Sequence, residues 1–98
     1  MRRSKAPDSN IYKNKSYEQL KDISKNLEPI LRIGKNGINE NVISEINGHL
    51  ERRRLIKIKL LPAFLDSNDR RIIALKLATK TNSKLVQQIG GIVVLYKK

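Results

Sequence analysis

Residues 30–43 read ILRIGKNGINENVI, and the hydrophobic pattern changes across Gly34-Lys35-Asn36-Gly37. A short apolar run, PILRIG, halts at the first glycine as a strand would, and Pro29 bars any helix from continuing into it. Directly after the second glycine, apolar residues recur at helical spacing. A strand that hands over to a helix in this way commits the chain to a mixed α/β architecture.

The helix after the glycines is the clearest element. Asn39 is a good N-cap, Ile38 and Ile43 are placed for a hydrophobic staple, and Glu40 suits the positive N-terminal end. Val42, Ile43, Ile46 and Leu50 share one narrow apolar stripe, and Glu40, Ser44, Asn47, Gly48 and Glu51 lie opposite. Arg52-Arg53-Arg54 then complements the negative C-terminal end. Gly48 costs roughly 1 kcal/mol against Ala in a helix interior, and nothing in the sequence accounts for it.

Upstream, Ser16 to about Lys25 reads as a shorter helix with Tyr17, Leu20 and Ile23 on one face, and Tyr17 is expected in the core. Downstream, LIKIKLL (55–61) alternates: Ile56, Ile58 and Leu60 on one side, Lys57 and Lys59 on the other. That is a half-buried strand with a basic open side. PAFLDSND (62–69) is a loop with several cap candidates. From about Arg70 to Thr81 a third helix is apolar over most of its circumference, apart from Lys76 and Lys80, and is expected to be well buried. KLVQQI and IVVLY flank Gly90-Gly91, a strong hairpin signal. The order α-β-α-β-α-β-β predicts an α/β fold with a mixed four-stranded sheet and helices packed on it. It leaves open which face takes the first helix.

Ninety-eight residues hold one compact domain. The segment MRRSKAPDSNIYKNK, residues 1–15, is basic and poor in apolar residues and reads as a flexible arm ahead of a single domain at 16–98. The net charge is +12, from 21 Lys and Arg against 9 Asp and Glu. Such an excess repels itself unless a polyanion neutralises it, so nucleic acid or an anionic membrane is the expected partner. A basic surface kept for solubility is the plainer alternative. The absence of Cys excludes disulfide frameworks, thiol catalysis and cysteine zinc sites. No apolar run approaches the roughly 18 residues of a membrane span, and the N-terminus lacks a secretory apolar region. A soluble protein is expected, cytoplasmic or, if the cell has a nucleus, nuclear; of the two polyanions nucleic acid is the expected partner, with no membrane.

Two glycines just ahead of a helix let the main chain approach another group closely and present N–H groups at a positive dipole end. Lys35 adds a mobile charge and Asn36 hydrogen-bonding capacity. KH-like RNA-binding domains clamp a nucleotide backbone with a G-x-x-G loop. Spacing alone leaves a plain strand-to-helix turn equally open, and a KH domain puts its loop between two helices rather than after a strand.

The surrounding motifs are more specific. EPILRIGKNGINENVISEINGHLERRRLIKIKL, then RRIIALKLATKTNSKLVQQIGGIVVLYKK, closely resembles the CRM domain, the chloroplast RNA splicing and ribosome maturation module. The G-K-N-G loop before a helix, the LIKIKL strand, A-x-x-x-A-T-x-T, VQQIG and the closing VLYKK match in order, over about residues 16–98. The resemblance implies a fold similar to the C-terminal domain of translation initiation factor three. It implies a stand-alone factor of the kind that associates with precursors of the large ribosomal subunit, whereas plant versions promote intron splicing. It also implicates the loop at Gly34, Lys35, Asn36 and Gly37 in RNA contact. Asn39 stands where Thr or Ser is the common cap, a chemically harmless departure.

An RNA backbone is accordingly expected over Lys35, Asn36 and the helix N-terminus at Asn39. It would continue along Arg32, Lys57 and Lys59 if those side chains share the open sheet face, the alternative being solvated strand cations that blunt aggregation. Arg52, Arg53 and Arg54 are the densest cluster, suited to phosphate contact or to simple helix-end charge. Arg70 and Arg71 open a helix where positive charge is disfavoured, a weak hint of an outside anion. Tyr12, Tyr17, Phe64 and Tyr96 are too scattered for a base-stacking platform, and Tyr96 is expected to pack rather than to stack a base. Recognition of shape and backbone in structured RNA follows, with a steep salt dependence.

Nothing points to catalysis. The single His49 sits beside an apolar stripe, where a satisfied boundary histidine is the ordinary reading. Glu45, four residues earlier, could pair with it across one turn, but nothing like a metal-binding H-x-x-x-H accompanies them. The sequence therefore predicts a monomeric, non-enzymatic RNA-binding protein without cofactor, metal or small-molecule substrate. Its expected partner is large-subunit rRNA or its precursor. Rival readings are an Alba-like chromatin protein on duplex DNA or RNA, an intron- or tRNA-binding RNA chaperone, and a structural ribosomal protein. An adaptor would need a sizeable exposed apolar patch, and the sequence shows no obvious one.

Overall fold

The computed structural model describes Tyr12 and residues 14–62 and 69–97. Helix α1 spans Tyr17–Ser24 and opens with a capping box. Ser16 Oγ accepts from the Gln19 N–H at 3.2 Å, and Gln19 Oε1 accepts from the Ser16 N–H at 2.8 Å, a pairing whose cap is worth about 1 kcal/mol. Strand β1 (Leu31–Ile33) leads through the glycines to α2 (Glu40–Arg53), which returns to β2 (Leu55–Leu60). Then follow α3 (Arg70–Lys80), β3 (Lys84–Ile89) and β4 (Ile92–Tyr96). The sequence-derived order is the observed one.

The sheet runs β1-β2-β4-β3. β1 and β2 pair in parallel through the α2 crossover; β4 lies antiparallel to both β2 and β3. Because side chains alternate along a strand, each face collects a different set. Ile33, Ile56, Ile58, Leu60, Val93 and Leu95 point to one face, where they bury Ile46 and Leu50 of α2 and Ile73, Ala74, Leu77 and Ala78 of α3. Leu55, Val94 and Tyr96 point to the other, with Leu20 of α1 and with Tyr12. Among the described helices, α1 thus lies by itself on the face opposite α2 and α3. In β3 the register slips between Leu85 and Gln87. Ordinary alternation sends Leu85 to the first core and the neighbouring Val86 to the second, and the extra residue then brings Gln87 opposite Val94.

Gly90 and Gly91 make the two-residue hairpin between Ile89 and Ile92, and Gly90 holds φ +55, a conformation that favours glycine. No helix among the described residues is long and apolar enough to cross a membrane.

Three expectations change. Tyr17 is 47% exposed rather than core. It lies in the first turn of α1, and the ring beside Tyr96 is that of Tyr12. The two rings meet edge to face, with centroids 6.3 Å apart and planes at 86°. Tyr12, within the stretch read as an arm, therefore belongs to the second core. Finally, α3 is not buried all round: Ile72 is 63% and Leu75 52% exposed. A helix on a sheet buries the side that meets the sheet and its neighbour, and Ile73, Ala74, Leu77 and Ala78 occupy that side. Of PAFLDSND, residues 63–68 lie outside the described residues. Asp69 is the cap, its Oδ1 accepting from the Arg71 and Ile72 N–H groups at 2.8 and 3.2 Å.

Candidate nucleic-acid interface

The loop from Gly34 to Gly37 is a closed turn: the Gly37 N–H donates to the Gly34 carbonyl at 2.9 Å. Its two glycines serve different ends. Gly37 holds φ +69, which costs a residue with a Cβ about 1–2 kcal/mol. A Cβ on Gly34 would lie 3.2 Å from Leu61 Cδ1, because the Leu61 N–H donates to the Ile33 carbonyl at 2.8 Å and draws that residue against the loop base. The turn leaves Lys35 and Asn36 exposed at its tip. Their main-chain N–H groups have no hydrogen-bond partner among the described residues, whereas the Gly37 N–H is spent internally.

Asn39 caps α2 as its residue type predicts, Oδ1 accepting from the Val42 N–H at 2.9 Å. Ile38 and Ile43 are both half-buried against the first core, which holds the chain's entry into the helix. The side-chain oxygen of Asn39 is thereby committed to the cap.

Arg32 and Lys59 are register partners across the parallel β1–β2 pair, and both are exposed. Lys57, two positions along the same strand, points to the same face and is half-buried. The three cations assumed to share one open sheet face therefore do share it. It is the α1 face, and α1 covers only part of it, over Leu55, Val86, Val94 and Tyr96.

The arginine cluster is elsewhere. Arg52 and Arg53 end α2, about 20 Å from the loop at 1.5 Å per residue over 14 residues. Arg54 holds a positive φ of 69°, donates its N–H to the Leu50 carbonyl at 2.9 Å and accepts from the Lys97 N–H at 2.8 Å. Two separate basic regions result, joined by a helix whose exposed side is not basic. Arg52 Nη2 also lies 3.3 Å from His49 Nδ1. Burial holds the His49 imidazole below its usual pKa, and the positive charges of Arg52 and Arg53 lower it further against an opposing pull from Glu45. Lys97 pairs with Glu51 at 3.6 Å.

Arg70 and Arg71 are exposed, their unfavourable place at a helix start offset by the Asp69 cap. Tyr96 is buried, its hydroxyl 3.4 Å from the Tyr12 carbonyl that it donates to. It packs as expected. Lys80 is the residue that sequence reasoning did not connect with the loop region. It shares a groove with Ile38, Asn39 and the polar side of α2, and no pattern within one helix relates it to a side chain on another.

The profile of the CRS1 / YhbY (CRM) domain matches residues 13–97. A protein of Pseudomonas aeruginosa named a probable RNA-binding protein is 37% identical over 81 residues, 83% of this chain and 76% of that one. A Bacillus subtilis protein of the same description is 41% identical over 80 residues, 81% of this chain and 80% of its own. The fold is similar to the solution structure of a hypothetical Staphylococcus aureus protein, a candidate RNA binder. The TM-score is 0.72 at 42% identity, covering 86% of this chain and 85% of that one. With its motifs, its sheet order and this match over nearly its whole length, the chain belongs to the CRS1 / YhbY (CRM) domain family.

Proposed function

We propose that this protein binds structured RNA, specifically rRNA in precursors of the large ribosomal subunit, and acts there as an assembly factor. The observation that carries the reading is the meeting of the Gly34–Gly37 turn with the basic strand pair. An exposed Lys35 stands at the end of β1, and the adjacent Arg32–Lys59 pair lies on an open face of the same strands. A phosphate backbone crossing the turn is met by Lys35, Asn36 and the N-terminal end of α2. It continues over Arg32, Lys59 and Lys57. Arg52, Arg53 and Arg54 engage a second stretch of phosphate at the far end of α2. The net charge of +12 supports a polyanionic partner, and the RNA-binding names of the relatives support RNA in particular. The protein works as a single copy, by holding an rRNA fold rather than by chemistry.

Crosslinking the tagged protein to RNA in its own cells, followed by sequencing of what is bound, tests this. Precursor large-subunit rRNA should be enriched over mature rRNA. Recovery of introns or tRNA would move the function to another RNA, and background RNA alone would end the RNA reading.

A further inference from the structure

Next to the turn, a groove of about 500 Å³ opens between the polar side of α2 and the end of α3. That volume is in the range of small-molecule sites, about 300–1,000 Å³. Ile38 and Ile43 supply apolar lining, and Glu40, Ser44, Asn47 and Lys80 supply polar lining. Among the described residues, no hydrogen bond or ion pair engages the side chains of these four polar residues. They comprise an acid, a base, an amide and a hydroxyl, all uncommitted around one hollow.

The charge pattern selects an occupant. Glu40 lines the groove and repels a phosphate inside it, so the backbone passes the main-chain end of α2 at the turn without entering the groove. A flat neutral group with apolar faces and an edge that sets donors beside an acceptor suits the isoleucines together with Glu40 and Lys80 or Asn47. Guanine has that edge: N1–H and the N2 amino group face a carboxylate, while O6 accepts from an ammonium or amide. Its faces lie on the isoleucine side chains. Bases splayed from loops and bulges are the usual carriers of sequence information in RNA, and a backbone held on Lys35 and Asn36 delivers one here.

We propose that this groove receives an unpaired guanine of the bound RNA, a specificity site resting on the RNA reading above. The test is fluorescence anisotropy of the full chain with stem–loop RNAs carrying guanine, inosine, adenine or an abasic nucleotide at one unpaired position, at several salt concentrations. Guanine should bind about tenfold or more tighter than the abasic RNA, with inosine between them because it lacks the N2 amino group. Ser44→Trp, which fills the groove, should erase the preference and keep the salt slope. Glu40→Gln should narrow the guanine preference and tighten the abasic complex by removing a repulsive charge; it serves as the second variant if the tryptophan disturbs folding. Equal affinity for guanine and abasic RNA with a normal salt slope overturns the groove and leaves the RNA reading intact. No binding to any of the RNAs overturns both.

Discussion

The Gly37 amide closes onto the Gly34 carbonyl at 2.9 Å, so the residues between them, Lys35 and Asn36, stand at the tip of a turn whose shape does not depend on a ligand. A preformed tip loses little freedom on binding, which favours affinity.

Replacing Lys35 by Ala should weaken RNA binding and flatten the plot of log K against log salt by about 0.7–0.9, the contribution of one phosphate contact. Thermal unfolding should not change, since the side chain is exposed. A titration at four or five salt concentrations reads both quantities, and unchanged affinity with a normal melt removes the loop from the interface.

The two glycines should respond differently to Ala. Gly37→Ala places a Cβ on a residue at φ +69 and should lower stability by about 1–2 kcal/mol. Gly34→Ala brings a Cβ to 3.2 Å from the end of the Leu61 side chain, which can shift by a few tenths of an ångström. Its cost should be smaller, under about 1 kcal/mol. Urea unfolding of the two variants distinguishes conformational demand from close approach.

Gly48→Ala should stabilise the protein by up to about 1 kcal/mol, the helix-propensity difference. A Cβ there meets only Arg52 Nη1, at an ordinary 3.5 Å. The structure offers no reason for a glycine at this position, and a lowered melting temperature would reveal one that the folded state conceals.

His49 should make stability depend on pH. Unfolded, it takes up a proton near its ordinary value of 6.5; folded, it does so only at lower pH. Between the two values the unfolded chain binds more protons, so stability is full above about pH 6.5 and declines as pH falls toward the folded pKa. His49→Gln should remove this part of the decline. Denaturant midpoints at pH 7.5 and 5.5 for both proteins measure it, and identical slopes would place the histidine's environment in error.

The elements and their order are legible in the chain because each rests on a local signal. Asn39 caps, Ser16 and Gln19 exchange bonds across one turn, LIKIKL alternates, and Gly90-Gly91 reverses the strand. The family is legible for the same reason, since its motifs are runs of neighbouring residues. Arg32, Lys57 and Lys59 come to one face because the period of two that buries Ile33, Ile58 and Leu60 turns the cations the other way.

Tertiary structure decided what local pattern does not encode. The sequence calls for strands that alternate with helices, but only packing set β4 between β2 and β3 and α1 on the opposite face. Tyr12, ahead of α1, packs its ring against Tyr96, whereas Tyr17 in the first turn of α1 is exposed. Ile72 and Leu75 are exposed because a helix lying on a sheet has one buried side however apolar its circumference. The groove that joins Lys80 to Glu40 and Asn47 exists only where two helices meet. Periodicity along a chain determines which way each side chain faces, whereas contacts between elements depend on distances that no single stretch of sequence contains.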